Sequence, residues 1–516
     1  MRILDILVIA LYVASLIGIG IYFARRQKTT EDYFVAGRSI PGWAMGMSLL
    51  ATIITSVTFI AYPGSAYGGD WSLLVPGIMF VLVLGLIGFV VVPFFRHVVH
   101  MSAYEYFGKR FGSGVRLYSS FAFAIGHFSK MGFVFYLLAL TISSMTGWPV
   151  DRVIILTAVV TIFYTMLGGV EAVVWSDVVQ GFVLWVGILV SICYLLFLPP
   201  QGPHAMLADA WNHHKMSLGS TSLRLDKPTV IVLAIYGFFF YLQKYTADQT
   251  VVQRYLIAKT DKSALKGIGL GAFLCLPVWT AFMLIGSLLW SFYRLTGEAL
   301  PATIKKADQV FPHFLVTHIP AGLAGLFIAA LLGSAMAMLA SDMNCLAVIG
   351  VEDFYGLARP RAADRDRLRA GRYIVVSSGV AAAGVAIKLA HNNGSALSLY
   401  YTITAVVAGG LAGLFLLAFL LKRATPKGAI AGIVANLLFT LWATLTLNGK
   451  TIDLGQFNFP YHDYMIGAIG HLVLLIVGVL VSLSIRETIA GEDLTLWGWR
   501  DRNMKEQHNA SVTAVK

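Results

Sequence analysis

Four of the charged side chains that fall in long apolar stretches of this sequence bear on its chemistry. They are Lys130, Asp177, Lys244 and Asp342. A charge at the centre of a membrane helix costs about 2.5–3.5 kcal/mol on insertion scales, so such residues usually bind an ion, a proton or a charged solute. The sequence therefore predicts binding chemistry at these positions and gives no support to an enzyme.

Lys130 lies near the middle of Arg116–Met145, too deep for its ammonium to reach either surface easily. It can bind an anion, form a salt bridge with an aspartate, or replace a missing sodium ion. Lys244 either adds to an inner cationic cavity or extends to the cytoplasmic interface.

The two aspartates also have alternatives. Asp177, near the cytoplasmic end of its stretch, binds an ion or proton or is a solvated or capping carboxylate. Asp342 can carry a proton, pair with a lysine, or be a polar residue at the inner end of a helix.

Two polar runs interrupt apolar stretches at corresponding places, Ala51–Thr58 and Gln243–Gln249. In a plain helix, Ser and Thr bond back to carbonyls one turn earlier. Matched positions instead favour broken helices, whose polar groups line a substrate cavity. We expect this cavity among Ala51–Thr58, Lys130, Gln243 and Lys244, with Thr55 and Thr58 as its hydroxyl groups.

Thirteen apolar stretches must position these residues, since a spanning helix needs about 20 apolar residues. Hydrophobic residues make up 58% of the chain and charged residues only 12%, where soluble domains have about 25% charge. The predicted spans are 3–24, 41–62, 72–95, 116–145, 150–167, 172–198, 228–247, 265–292, 318–350, 372–390, 397–421, 428–447 and 464–485. The fold class is thus an all-α membrane protein with about 13 transmembrane helices.

The spans divide into a leading helix (3–24), two groups of five (41–198 and 228–421) and two trailing helices (428–485). Groups with an odd number of helices are compatible with inverted repeats. We expect one transport domain over 1–485 and a cytoplasmic tail over 486–516.

Basic residues collect in alternate loops, including those with Arg25, Arg96, Arg110, Arg254 and Arg359. By the positive-inside rule these loops are cytoplasmic, which places the N-terminus outside and the C-terminus inside a bacterial inner membrane. The net charge of +12 follows this topology and does not indicate nucleic acid.

Redox and metal chemistry have little support. Cys193, Cys275 and Cys345 lie in apolar runs, where cysteine is usually a packing residue. The adjacent His213 and His214 point apart on a helix and do not form a metal site. We expect no cofactor, and no metal beyond a coupling sodium ion.

Four separated motifs, at 32–38, 168–181, 248–254 and 344–355, occur in the order and on the sides expected of one family. They resemble the sodium/solute symporter family, which includes sodium-coupled sugar, sialic acid, proline and vitamin carriers. The resemblance implies a five-plus-five inverted-repeat fold, an outside N-terminus and alternating access.

The resemblance also implies a main sodium site, formed by the carbonyls of Ala51, Ile54 and Ser334 and by two adjacent hydroxyl residues. Ala337 and Met338 stand at the hydroxyl positions and offer no oxygen to a hard cation. We therefore expect sodium coupling at this site to be weakened or lost.

A second ion or proton site, known in some relatives, maps to Asp177, Ala337, Ala340 and Ser341. Asp177 and Ser341 keep oxygens there, and Asp342 lies beside them.

Two further positions bear on the solute. Lys130 resembles the arginine that holds the substrate carboxylate in sialic acid carriers. Gly77 stands where those carriers have an amide side chain.

The sequence as a whole predicts a secondary active transporter in the lipid bilayer for a small polar solute, more an organic or sugar acid than a neutral sugar. Na⁺ or H⁺ is the possible coupling ion. The alternatives are a sodium-coupled sugar symporter and a ligand sensor that no longer transports.

Overall fold

The structure is a computed structural model, and it describes residues 3–302, 304–391, 409–449, 451–485 and 491–502. Within these residues the chain is helical. Its one isolated β-bridge pairs Ile40 with Ala258.

The helices, numbered in chain order, are α1 (Ile3–Ala24), α2 (Thr30–Val35), α3 (Gly42–Ile53), α4 (Ser56–Gly68), α5 (Leu74–Val98), α6 (Glu105–Phe111), α7 (Ser113–Thr146), α8 (Val150–Phe197), α9 (Gly202–Asn212), α10 (Val230–Ala247), α11 (Gln249–Ile257), α12 (Asp261–Thr296), α13 (Val310–His318), α14 (Leu323–Ile349, continuing through a π-helical turn to Ala358), α15 (Asp364–His391), α16 (Leu411–Leu420), α17 (Pro426–Thr446) and α18 (Tyr464–Ser484). Short 3₁₀ turns lie at Ala36–Arg38, Ala307–Gln309, Leu447–Gly449, Gly455–Phe457 and Glu492–Leu494.

Ten of the described helices are long and apolar enough to cross a membrane, or eleven when the bent pair α3 and α4 counts as one span. The chain is therefore an integral multi-pass membrane protein, and the all-α prediction is confirmed. The count of 13 stays a prediction, because part of the predicted span 397–421 lies outside the described residues.

The first predicted break is confirmed. Helix α3 ends at Ile53, and Ile54 has extended backbone angles (φ −84°, ψ 102°). Thr55 then begins α4 as its N-cap, with a bend of 58° between the two segments.

The second predicted break is confirmed at Asp248, which separates α10 from α11. Asp248 is extended (φ −98°, ψ 115°), and its carboxylate accepts from the backbone N–H of Thr250 at 2.9 Å. An aspartate in this N-cap position satisfies an amide that a new helix start leaves unpaired.

Helix α8 contains two predicted spans, 150–167 and 172–198. Its 48 residues would extend about 72 Å if straight, more than twice the hydrocarbon thickness of about 30 Å. Gly169 has non-helical angles (φ 56°, ψ −156°), and Tyr164 lies next to Ser176 and Gln180. The chain therefore turns back at Gly169, where a left-handed φ favours glycine.

Helix α14 is central in the bundle. In its most apolar stretch 83% of the residues are buried, compared with 22% in α1. Ser334, Ala337, Met338, Ser341 and Asp342 all lie on α14, so the predicted ion sites are at the centre of the protein.

Glycines allow α3 and α12 to approach closely. A Cβ on Gly271 would lie 2.7 Å from the carbonyl oxygen of Gly46, and one on Gly267 would lie 2.3 Å from that of Gly42. Small residues at such contacts let helix backbones meet, as in other membrane bundles.

We predict that Gly271→Ala lowers the thermal unfolding midpoint of the purified protein by several degrees, because the methyl group forces α3 and α12 apart at a cost of about 1–3 kcal/mol. Gly269→Ala is the matched control on the same helix, since its Cβ would meet nothing within 4 Å. Equal midpoints for the two variants would contradict the contact.

Candidate ion and substrate site

The residues of the predicted main sodium site lie on α3 and α14, which pack against each other. Ala51 and Ile54 are at the end of α3, where the last carbonyls of a helix lack intrahelical partners. Ser334 donates to the carbonyl of Leu331 at 2.9 Å. Ala337 and Met338 are 0% and 2% exposed, so a methyl group and a thioether occupy the two positions that would need hydroxyl oxygens.

Asp177 is held by a buried arginine. It is 0% exposed, as is Arg254, and Arg254 Nη2 lies 3.4 Å from Asp177 Oδ2. Ser48 donates to the same carboxylate oxygen at 2.5 Å. A solvated or capping role for Asp177 is therefore wrong, because the carboxylate is in the protein interior.

The prediction that Arg254 lies in a cytoplasmic loop is also wrong. Arg254 is on α11, and its Nη2 donates to Thr52 Oγ1 at 2.9 Å and to Ser341 Oγ at 2.7 Å. The guanidinium thus lies between Asp177 and Ser341, the two oxygen-bearing residues of the predicted second site. A cation belonging to the protein is already at this position.

Lys130 forms an internal ion pair. Its Nζ lies 3.0 Å from Asp342 Oδ2, and its side chain is 25% exposed, whereas that of Asp342 is fully buried. Of the alternatives for Asp342, pairing with a lysine is the one present, and an inner-end polar role is wrong. The side chain of Lys130 is thus partly buried.

Lys244 does not extend to the interface, since its Nζ lies 2.5 Å from Asp248 Oδ2 and its side chain is 18% exposed. His127 connects this pair to the first one. Its Nδ1 lies 2.8 Å from Asp342 Oδ1 and its Nε2 lies 3.2 Å from Asp248 Oδ2. We call His127, Lys130, Lys244, Asp248 and Asp342 the central charge network.

The other predicted substrate residues lie at the start of α4 and near the end of α10. Thr55 and Thr58 are in the first turn of α4, where Thr58 Oγ1 accepts from the Thr55 amide at 3.4 Å, and α4 packs against α7. Gln243 directly precedes Lys244 on α10.

Gly77 is explained by the ring of Trp279. A Cβ at Gly77 would lie 2.6 Å from Cε3 of that ring, which also stacks with Tyr62 and contacts Phe80 edge-on. An amide side chain does not fit here unless the indole moves, so an aromatic surface replaces a polar one.

Sequence reasoning singled out neither Ser48 nor His127. It named Arg254 only as a basic loop residue and as part of a motif, and it placed Thr52 and Asp248 only inside the two polar runs. His127 had a usable signal, because it precedes Lys130 by three residues and so shares its helix face. Arg254 had none, since its partners lie far away in the sequence. Across the part of the chain that the structure describes, no three His, Cys, Asp or Glu residues are grouped to hold a metal ion.

We predict that Arg254→Met strongly lowers the thermal unfolding midpoint, because removing one partner of a buried ion pair costs about 3–5 kcal/mol. The double variant Arg254→Met with Asp177→Asn should recover part of the loss. Arg224→Met is the control, since Arg224 pairs with Asp226 on the exposed surface and should change the midpoint little. Strictly additive effects of the two core substitutions would contradict the pairing.

Comparison with known proteins agrees with this architecture. Residues 33–435 match the Sodium:solute symporter family. The chain is 31% identical over 511 residues to the sodium/sialic acid symporter NanT of Aliivibrio fischeri, with 98% of this chain and 97% of that one covered. It is 29% identical to the sodium/glucose cotransporter of Vibrio parahaemolyticus, with 94% and 91% covered.

Among solved structures, the fold matches a substrate-bound, outward-open Na⁺-coupled sialic acid symporter with a TM-score of 0.88, 28% identity and coverage of 95% of this chain and 99% of that one. A nucleobase-cation-symport-1 family transporter matches in fold with a TM-score of 0.56 at 16% identity, covering 88% and 93%. These relatives are transporters and not enzymes. The chain belongs to the Sodium:solute symporter family.

Proposed function

We propose that this protein is a symporter for a monovalent organic anion, a sugar acid of the sialic acid class, and that sodium coupling at its main site is weakened or lost. The observation that carries the proposal is Lys130, a partly buried lysine whose ammonium lies 3.0 Å from the fully buried carboxylate of Asp342. We also propose that the N-terminus faces outward and the C-terminus the cytoplasm of a bacterial inner membrane, and that 41–198 and 228–421 are inverted repeats.

The charges of the interior favour an anionic solute. Lys130 and Lys244 are balanced by Asp342 and Asp248, and both lysine side chains keep some exposure. An anionic solute would give these cations a binding role in addition to their ion pairs, which a neutral sugar would not. Two relatives named as sialic acid symporters, at 31% and 29% identity, support the same class of solute.

The cation positions support weakened sodium coupling. Ala337 and Met338 supply no oxygen at the main site, and the guanidinium of Arg254 is within hydrogen-bond distance of Ser341 at the second. Sodium must exchange its hydration shell for protein oxygens, as other hard cations do. Few such oxygens remain at either position.

We predict that the unfolding midpoint of the purified protein is the same in Na⁺ as in matched choline. The variant Ala337→Ser with Met338→Ser should gain a midpoint that rises with Na⁺ concentration, because a bound ligand stabilises the folded state by RT ln(1 + [L]/Kd). The matched control is Ala335→Ser with Met336→Ser, which changes the same dipeptide two residues earlier on α14. A Na⁺-specific rise in the wild type would contradict lost coupling.

We predict that Lys130→Met reduces uptake of N-acetylneuraminate into proteoliposomes at least tenfold, since losing a desolvated charge pair costs about 2–5 kcal/mol. Lys130→Arg should keep part of the uptake. The double variant Lys130→Met with Asp342→Asn removes both charges of the pair, so no unpaired aspartate remains in the interior. Its uptake should stay low because the cation that binds the solute is absent. This result would show that the loss of uptake comes from solute binding and not from a destabilised fold.

A sodium-coupled sugar symporter is the second candidate. Asp177 Oδ1 has no hydrogen-bond partner within the described residues and is an oxygen that a cation could use. Sodium-dependent glucose uptake that is insensitive to Lys130→Met would favour this candidate. Tight binding of N-acetylneuraminate with no uptake would instead indicate a sensor.

A further inference from the structure

We propose that the central charge network binds one exchangeable proton, held between His127 and Asp248, and that this proton crosses the membrane together with the anionic solute. The solute class rests on the proposed function above. The proton site rests on the contacts of His127.

The hydrogen bonding of His127 indicates a bound proton. Both ring nitrogens face carboxylate oxygens, at 2.8 Å from Asp342 and 3.2 Å from Asp248, and the residue is only 8% exposed. A neutral imidazole has one N–H donor and one lone pair. Lys130 Nζ also lies 3.3 Å from Nδ1 and can donate to a lone pair there, but with both aspartates ionised one of the two carboxylate contacts still places a lone pair against a carboxylate oxygen. One additional proton removes this conflict.

The two contact distances of His127 indicate where that proton lies. Nδ1 makes the shorter contact, so its N–H satisfies Asp342. The additional proton then belongs to the longer contact, between Nε2 and Asp248 Oδ2, and either atom can carry it. Asp248 Oδ2 also accepts from Lys244, while Asp248 Oδ1 accepts from Thr250 and begins α11.

The net charge of the central charge network links the proton to the anionic solute. Lys130 and Lys244 with the ionised Asp248 and Asp342 sum to zero when His127 is neutral. With the additional proton the network carries one positive charge, which is unfavourable in a membrane interior. A monovalent anion beside Lys130 removes that excess. Binding of the proton and of the anion must then favour each other by the same factor.

Among the residues that the structure describes, no other compensating charge contacts His127. The ionisable groups near it are Lys130 on its own helix, Lys244 on α10, Asp248 at the start of α11, Asp342 and Cys345 on α14, and Tyr104 before α6. Tyrosine and cysteine side chains are ordinarily neutral near pH 7. The Phe123 ring stacks on the imidazole with centroids 3.8 Å apart. Arg116 and Asp353 pair with each other near the start of α7.

The location connects the proton to the transport cycle. His127 is on α7, in the first predicted repeat, whereas Asp248 lies at the break between α10 and α11 in the second. Movement of the broken helix relative to α7 changes the distance between His127 Nε2 and Asp248 Oδ2. The same movement can therefore release the proton and the anion together.

The experiment measures binding of N-acetylneuraminate to the purified protein in choline buffer from pH 5.5 to 8.5. The carboxyl group of this probe is ionised throughout the range, so a pH dependence reports the protein. We expect affinity to fall about tenfold per pH unit once the network has lost its proton, as one linked proton requires. His127→Gln should bind more weakly and without pH dependence.

His391→Gln is the matched control, because His391 also contacts an aspartate, Asp151, at 3.0 Å but is exposed. It should keep the wild-type pH dependence. A pH-indicating dye should also register about one proton taken up per anion bound by the wild type and none by His127→Gln. This wild-type proton count decides the proposal even if the variant does not fold.

A pH-independent affinity in the wild type, or an unchanged pH dependence in His127→Gln, would overturn the proton site. If N-acetylneuraminate fails to bind at every pH, the proposed solute class is overturned instead. The midpoint difference between wild type and His127→Gln then decides the proton site: a difference that varies with pH supports it, and a constant difference overturns it.

Discussion

A charge inside a bilayer must be paired, because neither water nor mobile ions are there to stabilise it. This constraint organises the centre of the protein. Arg254 pairs with Asp177, Lys130 with Asp342 and Lys244 with Asp248, and each pair joins different helices or the two sides of a helix break. The charged residues therefore hold the broken helices in register, and we propose that they also form the binding site.

The segment from Asp248 to Arg254 shows how much one short motif positions. Asp248 ends one helix and begins the next. Gln249 bonds to the backbone of Met101 and Ala103, and Gln253 bonds to Phe34 and Asn344. Arg254 then reaches α3, α8 and α14. Side chains of α11 thus contact five separate parts of the chain, namely the segment at 101–103 and helices α2, α3, α8 and α14, which explains why its polar residues are buried.

Much of the architecture could be predicted from the sequence, because hydrophobic length and charge bias follow directly from the bilayer. The two helix breaks could also be predicted, since polar runs inside apolar stretches have few other uses. The partners of the buried charges could not. Arg254 stands close to Lys259 and Lys262 and looks like a loop residue, and only folding brings it to Asp177.

The predicted site residues differ in the same way. Helical spacing alone places Ser334, Ala337, Met338 and Ser341 on one face of α14. Asp342, the ion-pair partner of Lys130, comes from a helix distant in sequence, whereas Asp248 is four residues from Lys244 and His127 is three residues from Lys130. In the proposed account, Arg254 and a proton bound to the central charge network take the place of the positive charge that sodium supplies in the named relatives. We propose that this substitution is the main feature of the transporter.

The most direct test is uptake of N-acetylneuraminate into proteoliposomes under one imposed gradient at a time. We predict that an inward proton gradient drives accumulation of N-acetylneuraminate, whereas an inward Na⁺ gradient does not. A membrane potential of either sign, set with potassium and valinomycin, should leave the rate unchanged, because an anion moving with one proton carries no net charge. Accumulation driven by the Na⁺ gradient and accelerated by an inside-negative potential would contradict it.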